Sequence, residues 1–107
     1  MKNNYKWLYY VPQGWQKLAK EMIEKCEAIF PDFEIYDLKE KFGALCCYHN
    51  GPQEVDDITD KYETITSETC CKCGAPATKY STYWILPWCD ECGQDDEKFY
   101  TKERFVR

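Results

Sequence analysis

The sequence predicts a small α+β domain with an amphipathic helix, a β-hairpin, a second helix and a C-terminal four-cysteine zinc ribbon. Helical apolar periodicity follows residue 12, a turn signal closes a pair of apolar runs, and two Cys-x-x-Cys-Gly units flank an aromatic stretch. We expect residues 1–69 to form the helix–hairpin–helix body. Residues 70–107 should form the ribbon and a tail that packs on the body, so that the chain is one compact unit.

The first predicted elements are a short strand and a long helix. Tyr5, Trp7 and Tyr9 alternate with their neighbours, which favours a strand. Over residues 12–30 the apolar side chains form one stripe of an amphipathic helix. Pro31 ends this helix because proline lacks the N–H that a helix interior needs. The stripe consists of Trp15, Leu18, Ala19, Met22, Ile23, Cys26, Ile29 and Phe30.

The run FEIYDLKEKFGALCCYHNGP predicts a β-hairpin. Residues 35–38 and 42–48 are apolar enough for two strands, and Asn50-Gly51-Pro52 is a turn signal that closes the pair. We place the bend between the strands at the polar Lys39-Glu40-Lys41 step. Neither strand alternates cleanly, which indicates that both faces are partly covered.

Residues 53–68 return to a helical pattern. Val55, Ile58, Tyr62 and Ile65 share one face, and acidic residues crowd the first turn, where the helix dipole favours anions. Several threonines lower the helix propensity towards the end. This is the last predicted element before the cysteine-bearing segment.

Length and charge limit the function classes. A chain of 107 residues leaves much apolar surface exposed, so a metal or a partner chain is expected to assist folding. The formal net charge of −5 disfavours binding to nucleic acid, since each neutralised phosphate needs a lysine or an arginine. No signal peptide or apolar span is visible, so we expect a cytoplasmic protein with reduced thiols and no membrane partner.

Four cysteines have the spacing of a structural zinc site. Cys70, Cys73, Cys89 and Cys92 give C-x2-C-x15-C-x2-C, and a glycine follows the second cysteine of each pair. A Cys-x-x-Cys turn aims two sulfurs at one point, and four thiolates fill a tetrahedron around zinc, which leaves no open position. Zn²⁺ is therefore the predicted cofactor, in a structural role. Iron fits four thiolates as well, and two disulfides or redox thiols are further alternatives.

The other cysteines are expected to be packing residues. Cys71 stands between two predicted ligands and could pair with Cys73 in place of Cys70. Each Cys-x-x-Cys pair is called a knuckle here, and symmetry with the second knuckle favours Cys70 as the ligand. Cys26 falls in the helix, and Cys46 and Cys47 fall in a strand, where adjacent side chains point to opposite faces. Joint metal binding by the vicinal pair is therefore not expected.

The aromatic run between the two cysteine pairs has two interpretations. Its apolar members should form the second hairpin strand of the ribbon and dock it on the first helix. Alternatively they present a binding surface, because Trp and Tyr dominate interface hot spots. The run contains Tyr80, Tyr83, Trp84, Ile85, Leu86 and Trp88.

Catalytic groups are sparse. His49 is the single histidine and lies beside a turn signal, which indicates a surface or turn-capping role. The sequence has no Walker-type loop and no G-x-G-x-x-G, and its adjacent carboxylates resemble solvated pairs. We therefore expect a protein that is not an enzyme.

The order of motifs resembles a group of small, largely uncharacterised bacterial and phage proteins with a KEKFGGL-type hairpin and a C-terminal two-knuckle zinc ribbon. The resemblance covers residues 14–93 and is most specific at KEKFG (39–43) and at the paired CxxCG and CxxC knuckles. This chain departs from the pattern at Ala44, where a second glycine is usual, and at Cys46-Cys47, where Arg-Phe is expected. The resemblance implies the fold and the metal site, but no activity.

Together these features predict a non-enzymatic zinc-binding protein that acts through contact with a partner protein. The phage connection of the family suggests an inhibitor of a host or anti-phage defence protein, by analogy alone. The alternative is a zinc-ribbon nucleic-acid-binding or transcription accessory protein, which would need a local basic stripe. The candidates for that stripe are Lys72, Lys79, Lys98, Lys102, Arg104 and Arg107.

Overall fold

The computed structural model describes residues 3–82, 84–93 and 99–101, and it has the predicted α+β architecture. The body consists of two 3-10 helices (Asn4–Tyr10, Gln13–Trp15), α1 (Gln16–Ile29), β1 (Ile35–Lys41), β2 (Ala44–His49) and α2 (Gln53–Ser67). The cysteine-rich part contains β3 (Lys79–Ser81), β4 (Pro87–Trp88) and β5 (Phe99–Thr101). Strands β1 and β2 form one antiparallel sheet, and the other three form a second sheet in the order β4-β3-β5.

The N-terminal segment is helical, so the predicted strand at Tyr5, Trp7 and Tyr9 is wrong. The chain forms a 3-10 helix that leaves Lys6, Tyr9 and Tyr10 exposed, and Asn4 anchors it at one end. The Asn4 side chain is buried, donates to Glu27 Oε2 at 2.9 Å and to the Phe33 carbonyl at 2.8 Å, and accepts the Ile35 N–H at 2.9 Å. These contacts involve residues far along the chain, which local alternation does not encode.

Helix α1 is shorter than the predicted stripe. It begins at Gln16, after a 3-10 turn that contains Trp15, and it ends at Ile29 before Pro31. Its buried residues are the predicted Ala19, Met22, Ile23 and Cys26. Ile29 is 52% exposed, because the last turn extends past the core.

The hairpin is present, but the predicted bend at Lys39-Glu40-Lys41 is wrong because these residues belong to β1. The strands pair up to Lys41 opposite Ala44, and the turn is Phe42-Gly43, with φ of +52° and +82°. Positive φ at both central residues is the geometry that matches the natural twist of a two-residue hairpin. The sequence signal was missed because phenylalanine is an uncommon residue in that position.

Helix α2 packs beside β2 through a threonine. The helix spans Gln53–Ser67, one residue shorter than predicted, and buries Val55 and Tyr62 as expected. Thr66 is also fully buried: its hydroxyl donates to the Tyr62 carbonyl at 2.8 Å and accepts the Leu45 N–H at 2.9 Å. The threonine that lowers helix propensity therefore satisfies a backbone donor of the neighbouring strand.

One hydrophobic core joins the helices and the hairpin. It is centred on Trp15 and Met22 of the first helical segments, Phe33 of the connection, Leu38 and Leu45 of the hairpin. Leu86 and Trp88 of the ribbon lie against this core as partly buried side chains. The ribbon and the body thus share apolar contacts.

Candidate metal centre

The four predicted ligands converge at one point. The sulfur atoms of Cys70, Cys73, Cys89 and Cys92 all lie within 4.8 Å of one another, and Cys73 Sγ is 3.5 Å from Cys89 Sγ. A tetrahedral site with metal–sulfur bonds of about 2.3 Å has sulfur–sulfur edges of about 3.8 Å. All eight cysteines are free thiols. The group has the size and the donor set to hold a single metal ion.

Two matching backbone turns position the sulfurs. The Gly74 N–H donates to the Cys70 carbonyl at 3.0 Å, and the Gly93 N–H donates to the Cys89 carbonyl at 2.9 Å. Each turn therefore closes from the first cysteine of a knuckle to the glycine after the second. Gly74 has a φ of +86°, a conformation that glycine adopts at little cost. The sequence symmetry between the knuckles is thus matched by this shared hydrogen bond.

The surroundings of the group lower the pKa of Cys70 and raise the pKa of Cys73 and of Cys92. Burial acts to raise the pKa of Cys70, but the backbone N–H groups of Cys73, Cys89 and Lys72 reverse this and lower it to about 7. Hydrogen bonding to Cys89 and burial raise the pKa of Cys92 to about 12. Four thiolates cannot share so small a volume without a compensating cation. The site is therefore chemically suited to a metal rather than to free thiolates.

Cys71 points away from the group and into the core. It is 7% exposed and belongs to the hydrophobic cluster around Trp15. Burial, reinforced by the neighbouring Cys70 sulfur, raises the pKa of Cys71 to about 12. Its backbone has a separate role, because the Cys71 N–H donates to the Pro87 carbonyl at 2.9 Å and so joins the first knuckle to β4.

Cys26 and Cys47 have the packing roles that their positions predicted, whereas Cys46 does not. Burial raises the pKa of Cys26 to about 11 and that of Cys47 to about 12. Cys26 is in the core, and Cys47 packs against it. Cys46 is directed elsewhere, because its S–H lies 3.0 Å from Glu63 Oε1 on α2. The vicinal cysteines do not belong to the group of four.

The first knuckle is docked on the start of α1, a contact that sequence reasoning missed. The Gly14 N–H donates to the Cys71 carbonyl at 2.8 Å, and the Trp15 indole N–H donates to the Thr69 carbonyl at 2.8 Å. A Cβ on Gly14 would lie only 2.2 Å from the Cys70 carbonyl oxygen and 2.8 Å from the Gly74 nitrogen. The Gly14-Trp15 dipeptide in the sequence was the available signal, but its partner is more than fifty residues away along the chain.

The second knuckle is held by the strand beside it. Thr78 Oγ1 donates to Asp90 Oδ1 at 2.6 Å, and Lys79 Nζ donates to the Gly93 carbonyl at 2.5 Å. The Lys79 side chain is 13% exposed and also lies 3.9 Å from Asp90. Lys79 is therefore committed to the ribbon and is not part of an exposed basic stripe. Lys72 is exposed, and the other four basic candidates lie outside the described residues.

The aromatic run divides between packing and exposure. Tyr80 is buried and its hydroxyl donates to the Ser67 carbonyl at 2.8 Å, whereas Trp84 is 63% exposed. Leu86 and Trp88 face the core, and Tyr83 lies outside the described residues. The run supplies β3 and β4, joined by a turn that Ser81 Oγ ties to the Trp84 carbonyl and the Leu86 N–H.

The tail contributes a strand to the ribbon. Residues 99–101 pair with β3, from Lys79 opposite Thr101 to Ser81 opposite Phe99. The sequence predicts that Phe99, Tyr100, Phe105 and Val106 of the tail pack on the body, whereas the described backbone of residues 99–101 pairs with the ribbon strand β3. Phe105 and Val106 lie outside the described residues.

His49 caps a turn. Its Nδ1 accepts the Gly51 N–H at 2.9 Å, and its Nε2 lies 2.9 Å from Asp56 Oδ1 at the start of α2. The ring also packs against Phe33 and its side chain is only 4% exposed. The predicted turn-capping role is present, but the side chain is buried and does not lie on the surface.

Comparisons with protein-family models, with curated proteins and with solved structures find no match to this chain. Within the described residues, no helix combines the length and the apolar character needed to cross a membrane. The cysteine group and the surface around it are therefore the features of this chain that indicate its function.

Proposed function

We propose that this chain is a non-enzymatic zinc protein whose metal site is structural and whose activity is contact with a partner protein. The observation that carries the proposal is the convergence of four sulfurs from two matching knuckles. We propose zinc because its filled d shell allows tetrahedral coordination and because zinc is the usual ion in such four-thiolate sites. With four protein ligands no coordination position is left for substrate.

Metal content tests the first half of the proposal. We expect one zinc ion per chain by elemental mass spectrometry of the purified protein. Cys73→Ser should lose the ion and unfold the knuckle, because metal-binding energy in small sites is folding energy. Cys71→Ala is the matched control and should keep one ion per chain, since Cys71 packs in the core. Equal metal loss in both variants would contradict the assignment.

Exposed aromatic residues support the second half. Tyr9 is 86% exposed, Phe42 67%, Tyr10 64% and Trp84 63%. Aromatic side chains are enriched at protein interfaces, where they bury a large area with few rotatable bonds. The net charge of −5 and the engagement of Lys79 in the ribbon favour a protein partner over nucleic acid.

Affinity purification from the cells that naturally contain the protein tests this half. We expect a protein that is retained in stoichiometric amount and released by substitutions at exposed aromatic residues. Recovery of no such protein, together with turnover of a small substrate, would overturn the proposal. A gel shift of nucleic acid with steep salt dependence would instead support the zinc-ribbon nucleic-acid alternative.

The finer form of the proposal concerns the kind of partner. The resemblance to small phage proteins suggests a phage-encoded inhibitor of a host or anti-phage defence protein. Its support is the KEKFG segment and the paired knuckles alone. We expect the retained partner to be such a protein. We also expect the partner to lose its activity when this chain is added.

A further inference from the structure

A groove lies between the tip of the β-hairpin and the turn that joins β3 to β4. Its volume is about 450 Å³, enough for a few side chains. The lining residues are Lys39, Glu40, Lys41, Phe42, Trp84 and Ile85. The groove thus contains most of the KEKFG segment, which neither the metal site nor the core uses.

The groove is a built feature and not a gap between loose segments. Trp84 Nε1 donates to Glu40 Oε1 at 2.7 Å, and the Gly43 N–H donates to Glu40 Oε2 at 2.9 Å. A Cβ on Gly43 would lie 3.3 Å from the Ile85 carbonyl oxygen, so the hairpin tip and the ribbon turn are in close contact. Glu40 therefore links the two walls and has both carboxylate oxygens engaged.

Phe42 is retained in a conformation that does not suit it. Its φ of +52° falls in the left-handed region, where asparagine or glycine would be less strained. The strain is not offset by burial, since 67% of Phe42 is exposed. A large apolar side chain held outward at a strained turn indicates a binding role.

The charged side chains that line the groove determine which kind of ligand it favours. Lys41 is exposed, and its side chain has no hydrogen-bond or ion-pair partner among the residues that the structure describes. The Glu40 carboxylate keeps its charge, but its two oxygens accept from Trp84 and Gly43 and it forms no ion pair with Lys41. The groove therefore combines two exposed aromatic rings with an uncompensated cation. An apolar side chain next to a carboxylate matches both features.

We propose that this groove binds a short extended segment of a partner protein in which a large apolar side chain is flanked by Asp or Glu. The inference rests on the proposed protein-contact function and names its surface. A nucleic-acid strand fits less well, because it carries a phosphate at every nucleotide and the chain has a net charge of −5, whereas a short peptide needs only one or two carboxylates beside Lys41.

The probe is a random peptide display library selected on the immobilised, metal-loaded full-length protein. We expect enriched peptides that carry an apolar residue beside acidic residues. A synthetic peptide of the consensus sequence is then titrated by fluorescence anisotropy. Trp84→Ala should weaken its binding by about tenfold or more, as loss of an aromatic anchor does. Tyr9→Ala, which removes a still more exposed ring that does not line the groove, should leave the affinity unchanged.

Two further variants separate binding from folding. Phe42→Asn should raise the melting temperature, because asparagine tolerates positive φ, and yet weaken the peptide. Lys41→Glu should weaken the acidic peptide and improve binding of a peptide whose acidic residues are replaced by lysine, with both effects shrinking at high salt.

Several outcomes would overturn the proposal. They are enrichment of basic peptides, no enrichment, equal binding to Trp84→Ala, or preferential binding of an oligothymidylate at the groove. If Tyr9→Ala abolishes binding and Trp84→Ala does not, the groove assignment fails while the protein-contact function stands. If no peptide is enriched and no protein is retained from cells, both fail.

Discussion

Gly14 influences the geometry of the metal site. It is not a ligand, but its backbone donates to the Cys71 carbonyl and leaves no room for a side chain against the first knuckle. The position of Cys70 therefore depends on a glycine in a different part of the chain. A substitution at Gly14 should therefore change the affinity for the metal ion.

Gly14→Ala is expected to reduce zinc affinity by about tenfold or more, because the new Cβ would overlap the Cys70 carbonyl and force the knuckle to shift. Competition with a chromophoric chelator measures the effect. The control is Ala28→Gly, an exposed helix position that should cost roughly 1 kcal/mol of stability. An unchanged zinc affinity in Gly14→Ala would show that the docking contact does not position the ligands.

The local environment of each residue also explains why two adjacent cysteines have different roles. Burial opposes ionisation of Cys70, but the surrounding backbone N–H donors lower its pKa to about 7. Burial instead raises the pKa of Cys71 to about 12, although the two residues are adjacent. The difference arises from the turn geometry, which directs one sulfur to the knuckle N–H groups and the other to the core.

At the scale of elements, Thr66 connects α2 to β2. Thr66→Val keeps the shape but removes the acceptor of the buried Leu45 N–H, and an unsatisfied buried donor costs about 1–3 kcal/mol. Urea denaturation should show this loss. Thr64→Val, on the exposed face of the same helix, should change stability by less than about 0.5 kcal/mol. Equal effects from both substitutions would refute the cross-element role.

The N-terminal 3-10 helix is anchored by one side chain. Asn4→Ala removes two donated bonds and leaves the buried Ile35 N–H without its acceptor, so we expect a loss of about 2–3 kcal/mol. Asn3 is the natural control, because it is exposed and its side chain makes no capping bond. Thermal unfolding of the two alanine variants should differ clearly; similar melting temperatures would contradict the anchoring role.

Elements that depend on local pattern were predictable from the sequence. The two helices and the hairpin follow from apolar periodicity and turn residues, and the knuckles follow from cysteine spacing and glycine placement. The predictions were wrong where the local structure depends on contacts or backbone conformations that the local pattern does not encode. The first segment is helical because Asn4 contacts the Phe33–Ile35 region, and the hairpin turn lies at Phe42-Gly43 in spite of a strained phenylalanine.

The same distinction applies to the metal site. The identity of the four candidate ligands needs only the chain segment that contains them. The docking of the first knuckle on Gly14 and Trp15 needs tertiary contacts between residues that no short motif links. The groove at the hairpin tip is likewise invisible in sequence, because its walls come from two sheets.

At the scale of the whole molecule, the metal site and the body are expected to unfold together. Backbone and side-chain bonds link the first knuckle to the start of α1 and β3 to the end of α2. Removal of zinc by a chelator should therefore reduce helical circular dichroism from α1 and α2 and not only disturb the ribbon. A body that keeps its full helical signal after chelation would show that the two parts are independent.

The closed zinc centre is tested most sharply by X-ray absorption spectroscopy at the zinc edge of the purified full-length protein. We predict a single shell of four sulfur atoms at about 2.3 Å and no light scatterer in the first coordination sphere. A shell that contains oxygen or nitrogen would indicate an open position and a site capable of chemistry. Either that result or the absence of bound metal would contradict a closed, structural zinc centre.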